Sequence, residues 1–494
     1  MTISARNGPL EAIRERRLSA AKAFLEHCAK HHGECNKLDA MLPPMPTRIV
    51  LIGDERVTLV AGADAKRDKF VALSHCWGDS QPLRTLKANI DSHHEQGIAI
   101  SNLPATFVDA IRACKYLGFR YIWIDSLCIV QDDRDDWQRE AGRMGAMYAN
   151  AYVVIGTSSS SSSSESFLDK GSGYFRGGIF LDPDTKTSGL YYGPDLHATR
   201  NDYFPQPLAR RGWTFQEQQL ARRFLAFGLA EVRWDCKTEY ACECRGARLL
   251  QFKTLEPGDI SFDDDMLHAR RTRYKTMFHN YWREKFVPHY TSRRFTFAGD
   301  RLVARAAVAE RFQEGLGDCY LAGLWESELI ESLFWRPAKY TTYSSSNPYG
   351  DERSDRPAPG IPSWSWASVN TTVNYSATKY IHPTFDAATL LGPGPAASAS
   401  ALNPLGDFEG AWIELRGKVR RSQWPFKKVS TAKAEWLHLD FEPEVADVVL
   451  PDGTAARTLA RPCSASAEAA GPKGGETSTA VEGEFWLLCL VNMN

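Results

Sequence analysis

The sequence predicts an α/β fold built around a parallel β-sheet with helices packed on it. Three apolar runs are typical of buried strands: "FVALS" (70–74), "RYIWIDSLCIV" (120–130) and "YVVIGTSS" (152–159). Between them lie two segments with helical periodicity, "LPATFVDAIRACKYLGF" (103–119) and "DDRDDWQREAGRMGAMYANA" (132–151). Strands that alternate with helices through short connections form βαβ units, so this sheet should be parallel.

Further elements are predicted before this core. Residues 9–32 carry apolar side chains at helical spacing, and "IVLIGDERVTLVAG" (49–62) predicts a hairpin around a Gly-Asp turn. In the helix after Pro104, Gly118 is placed to end the helix. The helix that follows Asp132 has an acidic first turn, which suits the helix dipole.

The second half of the chain is predicted to be helical first and then rich in strands. We expect a helix over "RRGWTFQEQQLARRFLAF" (210–227), a strand and turn over "EVRWDCKTEYACEC" (231–244), and helices over 268–292 and 301–334. Later strands are predicted at "PSWSWASV" (362–369), "GAWIELRGKV" (410–419), "EWLHLDFEP" (435–443) and "GEFWLLCLV" (483–491). The predicted boundaries are a helical segment 1–45, an α/β domain 46–235, a mostly helical extension 236–355 and a β-rich region 356–494, with a disordered loop near 461–484.

Composition excludes several classes of function. The 59 basic and 60 acidic residues leave a net charge of −1, which argues against a nucleic-acid-binding protein or one held on anionic membranes. No window approaches the roughly 18 apolar residues of a membrane span, and the N-terminus has no secretory core, so we expect a soluble cytoplasmic protein. Eleven cysteines without framework spacing fit reduced thiols.

Polar residues follow each of the three predicted strands. They are Ser74–Gly78, Asp125–Gln131 and Gly156–Ser158. Because ligands of open parallel sheets bind outside the carboxyl ends of the strands, we expect these segments to share one ligand-binding rim. The seven serines 158–164 within and after the last segment are predicted to form a flexible, inert linker.

Five blocks of this chain resemble the HET domain of fungal heterokaryon-incompatibility proteins. They are similar in order and spacing: "ALSHCWGD" (72–79), "LPATFVDAI" (103–111), "LGFRYIWIDSLCIVQDDRDDW" (117–137), "EAGRMGAMYANAYVVIGTSS" (140–159) and "RGWTFQEQQLARRFLAF" (211–227). The resemblance implies a role in non-self recognition and regulated cell death. It also implies a TIR/flavodoxin-like fold, and some TIR domains cleave NAD⁺. NAD⁺ is then the expected substrate, with no tightly bound cofactor.

The first lip of the rim carries Ser74, His75, Trp77 and Gly78. A glycine at a strand end lets a ligand approach the backbone, and a neighbouring hydroxyl and amides can bind phosphate or ribose. Trp77 could stack on a base. The alternative is that Trp77 fills the core and Ser74 caps the turn.

Three carboxylates are candidates for chemistry. Asp125, with Gln131 close behind it, could bind a ribose or face a developing positive charge, or it could cap the next helix. Cleavage of a glycosidic bond needs a carboxylate beside the anomeric carbon. Glu140 is the first choice because it shares a helix face with packing residues, and Glu217 is the second. The alternative for both is a structural ion pair with an arginine such as Arg211 or Arg143.

The block "RGWTFQE" (211–217) supplies the rest of the predicted site. Arg211 could bind phosphate, with Trp213 and Gln216 nearby as further binding residues. The alternative is a cluster that serves only packing and hydrogen bonding.

Cysteines and histidines cluster at two places in the sequence where metal binding has to be considered. Cys28, His32 and Cys35 lie at helical spacing, and Cys236, Cys242 and Cys244 form a second group, but neither has C-x-x-C spacing. Packing is therefore favoured over metal binding, and no metal site is predicted. Cys76 or Cys128 could also act as a nucleophile with His75. The pair of Cys76 with His75 is disfavoured, because neighbouring residues of a strand face opposite sides.

Three functions remain open from the sequence. The first is an NAD⁺ nucleosidase-like hydrolase, the second a non-enzymatic module that acts by self-association or with a protein partner, and the third an enzyme of another small-molecule reaction. The absence of GxGxxG and GxxxxGK[ST] loops disfavours ordinary Rossmann and P-loop chemistry.

Overall fold

A computed structural model describes most of the first 340 residues and parts of the remainder. The described residues are 10–37, 39, 42–78, 83–170, 175–181, 188–194, 206–229, 231–243, 246–247, 268–297, 299–337, 361–375, 388–393, 405, 413–417, 419–424, 446–449, 455–458 and 483–488.

Twelve α-helices occur among these residues. They are α1 (Leu10–His31), α2 (Gly33–Asn36), α3 (Ile90–Glu95), α4 (Ala105–Leu117), α5 (Asp125–Cys128), α6 (Arg134–Asn150), α7 (Trp213–Leu220), α8 (His268–Tyr281), α9 (Val287–Thr291), α10 (Asp300–Val303), α11 (Ala306–Leu316) and α12 (Leu329–Ser332). No helix in the described ranges is long and apolar enough to cross a membrane.

The described strands fall into one large sheet and several two-stranded ribbons. Those of the first 250 residues are β1 (Arg48–Ile52), β2 (Arg56–Ala61), β3 (Val71–Ser74), β4 (Ile98–Ala99), β5 (Tyr121–Trp123), β6 (Val153–Gly156), β7 (Phe175–Leu181), β8 (Ser188–Pro194), β9 (Arg223–Phe227), β10 (Val232–Cys236), β11 (Tyr240–Cys242) and β12 (Gly246–Ala247). The later ones are β13 (Tyr320–Leu321), β14 (Leu324–Trp325), β15 (Arg336–Pro337), β16 (Val373–Asn374), β17 (Ala388–Pro393), β18 (Ile413–Gly417), β19 (Val419–Trp424), β20 (Ala446–Val449), β21 (Ala455–Thr458) and β22 (Gly483–Leu488).

The chain divides into two compact units. The first comprises Met1–Leu267, Arg293–Gly317 and Ser400–Gly406, and the second comprises His268–Ser292, Asp318–Ala399 and Asp407–Asn494. The first unit contains the large sheet. In the described part of the second, the stacked rings of Trp282 and Phe286 lie beside the edge-on ring of Trp325.

The large sheet is mixed, which corrects the expectation of a parallel sheet. Its ten strands run in the order β12-β11-β10-β9-β6-β3-β5-β1-β2-β4. Only the pairs β3/β5, β3/β6 and β6/β9 are parallel. Antiparallel hairpins extend both sides of this parallel centre, because β1–β2 and β9–β10–β11 are joined by short turns.

The central strands are short, apolar and buried on both faces. Every residue of β3, β5 and β6 is buried, as expected for parallel strands covered by helices. Helix α4 ends as predicted at Gly118, whose φ of 84° is in the left-handed region that glycine adopts without strain. Helix α6 begins after Asp133, whose side chain accepts hydrogen bonds from the amides of Asp135 and Asp136.

Several predicted elements differ from those observed. The helix predicted over 210–227 ends at Leu220, because β9 then joins the sheet beside β6. The segment predicted as a strand at 362–369 contains a short 3₁₀ helix, Trp366–Ser368, although Trp366 is buried as expected. The predicted helix 301–334 contains the hairpin β13–β14. The predicted strand 435–443 and residues 461–482 of the predicted disordered loop lie outside the described residues.

Candidate active site at the ends of the parallel strands

The carboxyl ends of β3 and β6 meet where the chain changes direction across the sheet. From β3 the chain passes to β5 on one side, and then returns across β3 to form β6 on the other. Ser74 therefore pairs with Gly156, and the amide of Thr157 donates to the Ser74 carbonyl at 3.0 Å. A reversal of strand order of this kind leaves a crevice at the strand ends, where ligands of such sheets bind.

A group of polar side chains lies at this crevice, four of them buried and two, Asp125 and Arg211, half-buried. We refer to it as the rim cluster, and it consists of Ser74, His75, Asp125, Tyr148, Arg211 and Glu217. The members come from the end of β3, from the start of α5, from α6, from the segment that leads into α7 and from α7 itself. Residues far apart in the sequence are therefore brought together by the sheet.

Glu217 has the most perturbed carboxyl group of the cluster. Its side chain is buried, and its Oε2 atom makes no hydrogen bond to any described residue. Burial is the largest influence and raises the pKa of Glu217 to about 7, with a smaller contribution from the charge of Asp125. The hydroxyls of Ser74 and Tyr148 and the charge of Arg211 act in the opposite direction. A carboxyl group with this pKa exchanges its proton near neutral pH.

His75 is held neutral beside the carboxyl groups. Burial is the main cause that lowers the pKa of His75 to about 4, and the charge of Arg211 adds to it, while Asp125 opposes both. The His75 Nδ1 atom lies 3.8 Å from an Asp125 oxygen, and neither ring nitrogen hydrogen-bonds a residue in the described ranges. The ring edge packs against Phe107, with centroids 5.1 Å apart.

Trp77 and Gly78 form the outer part of the same lip. The indole Nε1 of Trp77 donates to Asp125 Oδ2 at 2.9 Å, so the indole is half-buried and oriented by a carboxylate. Gly78 has a φ of 82°, and a Cβ atom added there would lie 2.6 Å from the Cβ of Ser162. Glycine is therefore required by the backbone angle and by the close approach of the serine loop.

Asp125 does not end its strand but begins α5. Its Oδ1 atom accepts from the amide of Ser126 at 2.7 Å, and its Oδ2 accepts from Trp77. Its position is thus compatible both with a role in capping the helix and with a role in ligand binding. The carboxylate accepts a hydrogen bond from the first turn of α5 and also lies 3.8 Å from His75.

Arg211 connects α7 to the lip. Its guanidinium donates to the carbonyl of His75, and its own carbonyl accepts from Arg293 at 3.1 Å. The amide of Gly212 donates to the carbonyl of Arg294 at 2.8 Å. The guanidinium is therefore anchored at the backbone of the first lip. From there its positive charge acts to lower the pKa of Glu217, against the larger effect of burial.

The serine run is packed against its neighbours, which corrects the prediction of a flexible linker. Ser159, Ser160 and Ser163 are buried. Both the amide and the hydroxyl of Ser159 donate to the carbonyl of Phe227, and those of Ser163 donate to the carbonyl of Trp77. Small hydroxyl side chains are accommodated because the loop passes directly over Gly78.

The remaining predicted binding residues are spread along the edge of the cluster. Gln131 donates to the carbonyls of Asp125 and Ile129, both at 3.1 Å, and thus braces the turn after β5. Trp213 donates to Asp300 Oδ2 at 3.0 Å, so its one polar side-chain atom is already paired with a residue outside the rim cluster. Gln216 is buried, and its Oε1 atom has no hydrogen bond among the described residues.

Glu140 lies on the same helix as Tyr148 but has different neighbours. It is buried in α6, and its Oε1 atom lies 3.9 Å from Arg143 and makes no hydrogen bond in the described part of the chain. No described contact joins it to Asp125 or Glu217. Of the two glutamates considered from the sequence, Glu217 is therefore the one that the fold brings to the strand ends.

The thiols near the rim are poor nucleophiles in this environment. Burial raises the pKa of Cys76 to about 11 and that of Cys128 to about 12. None of the eight described cysteines is in a disulfide.

Two features could not be found from sequence spacing. Tyr148, which looks like a packing residue, donates its hydroxyl to the Leu73 carbonyl at 3.2 Å and lies beside Glu217. Cys236 joins the N-terminal residues Cys28, His32 and Cys35 in a buried group whose ligand-type atoms all lie within 4.8 Å of one another. The only sequence signal for this group was the local spacing of its first three members.

One family of known proteins matches this chain. Residues 70–217 match the family described as heterokaryon incompatibility protein (HET). This interval begins at the residue before β3 and ends at Glu217, so it contains all six members of the rim cluster. Comparisons with curated proteins and with solved structures found no match.

Proposed function

Because residues 70–217 form a HET heterokaryon incompatibility domain, we propose that this protein is an effector of fungal non-self recognition that cleaves a glycosidic bond in a nucleotide such as NAD⁺. The presence of the domain implies a role in heterokaryon incompatibility. The chemical step is our inference from the rim cluster.

One observation carries the proposal. Glu217 is a buried carboxyl group with an unpaired oxygen and a pKa raised to about 7, at the crevice between β3 and β6. Leaving a carboxylate oxygen unpaired in a buried site costs stability, and such groups concentrate at functional sites. Hydroxyls from Ser74 and Tyr148 lie beside it and can orient it.

The order of the parallel strands supports a nucleotide at this position. The parallel part of the sheet has the spatial order β5-β3-β6-β9. If these four strands are numbered 1 to 4 along the chain, this order is 2-1-3-4. Flavodoxin-like sheets share this order and bind their nucleotide at the ends of the first and third strands. In this chain those ends are Ser74 and Gly156.

The proposed reaction is hydrolysis of the bond between ribose C1′ and the nicotinamide nitrogen. The bond electrons leave with nicotinamide, water adds to the ribose carbon, and one proton of that water is released to solvent. An ionised Glu217 would stabilise the positive charge that develops on the ribose, and a cationic nicotinamide ring next to it would favour that ionised form. Trp77 would supply a stacking face, and Asp125 would bind a ribose hydroxyl.

The test is release of nicotinamide from NAD⁺ by the purified full-length chain. We expect Glu217→Gln to lower the rate by at least about 100-fold, since loss of a charged group that acts in the transition state costs several kcal/mol. The matched control is Glu231→Gln, because Glu231 is equally buried, also has an unpaired oxygen and pairs with Arg233 at 3.1 Å outside the rim cluster. Glu231→Gln should retain activity.

Two outcomes would contradict the proposal. If Glu140→Gln abolishes nicotinamide release and Glu217→Gln does not, the reacting carboxylate has been misassigned. If the chain causes cell death when expressed in a filamentous fungus while NAD⁺ stays intact, and if Glu217→Gln is equally toxic, the domain acts by assembly with itself or a partner and not by cleavage.

A further inference from the structure

The N-terminal helices and the edge of the large sheet meet at a group of three cysteines and one histidine. Cys28 lies in α1, His32 between α1 and α2, Cys35 in α2 and Cys236 at the end of β10. The three cysteines are fully buried and His32 is 7% exposed. We propose that these four residues bind a structural Zn²⁺ ion.

The number and type of the ligands match a closed zinc site. Structural zinc takes four ligands in a tetrahedron, commonly three thiolates and one imidazole. With Zn–S bonds of about 2.3 Å and a Zn–N bond of about 2.1 Å, tetrahedral ligands lie about 3.6–3.8 Å apart. The four ligand atoms lie within 4.8 Å of one another, and His32 Nδ1 is 3.4 Å from Cys236 Sγ. A small contraction would bring them onto one ion.

The backbone explains how the first three ligands converge. Helix α1 ends at His31, and His32 adopts an extended conformation with φ −110° and ψ 94° before α2 begins. The amide of His32 still donates to the Cys28 carbonyl at 3.0 Å. A continuous helix would place the three residues on one face but would separate positions 28 and 35 by about 10.5 Å along its axis. The break at His32 lets the three side chains converge on one point.

The surrounding residues are those that support a metal site. The other ring nitrogen of His32, Nε2, lies 3.2 Å from the buried carboxylate of Glu239. This contact holds the imidazole with Nδ1 deprotonated, as a metal ligand requires. The amide of Glu239 donates to Cys236 Sγ at 3.3 Å, and the hydroxyl of Thr238 lies 3.6 Å from Cys35 Sγ.

Charge balance also favours a metal. Three thiolates with one Zn²⁺ carry a net charge of −1, which is costly to bury alone. The fully buried guanidinium of Arg223 lies beside Cys28 and can neutralise it. A second group, His27, His32 and Glu239, shares His32 but offers no thiolate and includes the partly exposed His27, so it is the weaker arrangement.

The ion would join the N-terminal segment to the sheet. His32 and Cys236 are 204 residues apart in the sequence, so the metal would close a long loop and hold α1 against β10. Other ties in the same place are the hydrogen bonds of the buried Arg17 to the carbonyls of Lys170 at 2.8 Å and Gly228 at 2.6 Å. Zinc would therefore stabilise the first unit without taking part in catalysis.

Metal content of the full-length chain tests the proposal. The protein is purified without chelators, and zinc is measured by mass spectrometry against protein concentration. We expect one zinc per chain in the wild type and loss of it in Cys236→Ser. The control is Cys114→Ser, because Cys114 is also a fully buried thiol but lies in α4 outside the cluster. Glu239→Gln should keep the ligands and weaken zinc affinity by about 10–100-fold.

A second measurement applies if Cys236→Ser does not fold. In the wild type, removal of zinc by a chelator should expose three additional thiols to a thiol reagent, and replacement by Co²⁺ should give the absorption of a tetrahedral thiolate site. Folded wild-type protein that takes up no zinc on reconstitution would overturn the proposal. So would zinc that remains in Cys236→Ser, or a disulfide between two of the three cysteines in the purified protein.

Discussion

Replacement of Glu217 by glutamine should change the pH dependence of stability in a defined direction. In the folded chain, the pKa of Glu217 is about 7, against an ordinary value of 4.5. The folded state therefore binds the proton more tightly than the unfolded state. The stability that this group contributes is fully present below about pH 4.5 and is lost as the pH rises through about 7.

The size of the effect follows from the two pKa values. A difference of about 2.5 between them corresponds to about 3 kcal/mol, since each pKa unit is worth about 1.4 kcal/mol. Glutamine resembles the protonated carboxyl group and does not titrate. Relative to the wild type, Glu217→Gln should therefore gain up to about 3 kcal/mol in free energy of unfolding between about pH 4.5 and about pH 8.

The assay is urea unfolding of both proteins across this pH range, together with hydrogen exchange of the amides in β3 and β6. Exchange of these amides reports the opening of the large sheet itself, so unfolding of the second unit does not enter the comparison. Gln216→Ala is the control, because it alters the neighbouring buried residue of α7 without removing a titrating group.

The reasoning is refuted if the stability difference between wild type and Glu217→Gln is constant from about pH 4.5 to about pH 8. It is also refuted if the difference changes in the opposite direction, because the carboxylate would then be better stabilised in the folded chain than in water. A difference that appears equally in Gln216→Ala would show that the pH dependence has another source.

Three further predictions concern the first lip of the rim. Because the pKa of His75 is lowered to about 4 from 6.5, the free energy of unfolding of the wild type should fall as the pH drops from about 6.5 to about 4. In acid unfolding experiments, His75→Gln should make this fall smaller by up to about 3 kcal/mol. Trp77→Phe removes the donor to Asp125 and should cost about 1.5–3 kcal/mol, and a double-mutant cycle with Asp125→Asn should give a coupling energy above about 0.5 kcal/mol. Gly118→Ala should cost about 1–2 kcal/mol of stability, and Gly78→Ala should cost more. Both glycines have a φ near 83°, but of the two only Gly78 would bring an added Cβ within 4 Å of another atom. Equal losses of stability in thermal unfolding would contradict this prediction.

Local patterns were sufficient for some elements of the sheet and its helices. The strands at 70–74 and 152–156 and the helix that ends at Gly118 were all predicted, because each depends on hydrophobic periodicity or on the angles that glycine adopts. The segment 210–227 was predicted wrongly for the opposite reason. Its polar first half is helical, but its second half becomes a strand only because β6 offers it an edge to pair with.

The site was predicted in part. The segments that follow β3 and β5 do lie together, since His75 and Trp77 both contact Asp125, and parallel strands bring their carboxyl ends to one edge. The ranking of Glu140 above Glu217 rested on helix-face spacing, which shows that a residue is buried but not what lies opposite it. Whether either glutamate reacts stays a prediction.

The sequence by itself determined which segments are buried, where helices end and which polar residues stand at strand ends, since these follow from side-chain periodicity and backbone angles over a few residues. Only the tertiary structure decided that Glu217 is the carboxyl group beside Ser74 and Tyr148, and that Cys236 lies against Cys28, His32 and Cys35. Both groupings join residues separated by more than 60 positions. Such proximity depends on strand order and on the packing of α1 against the sheet, which no local pattern records.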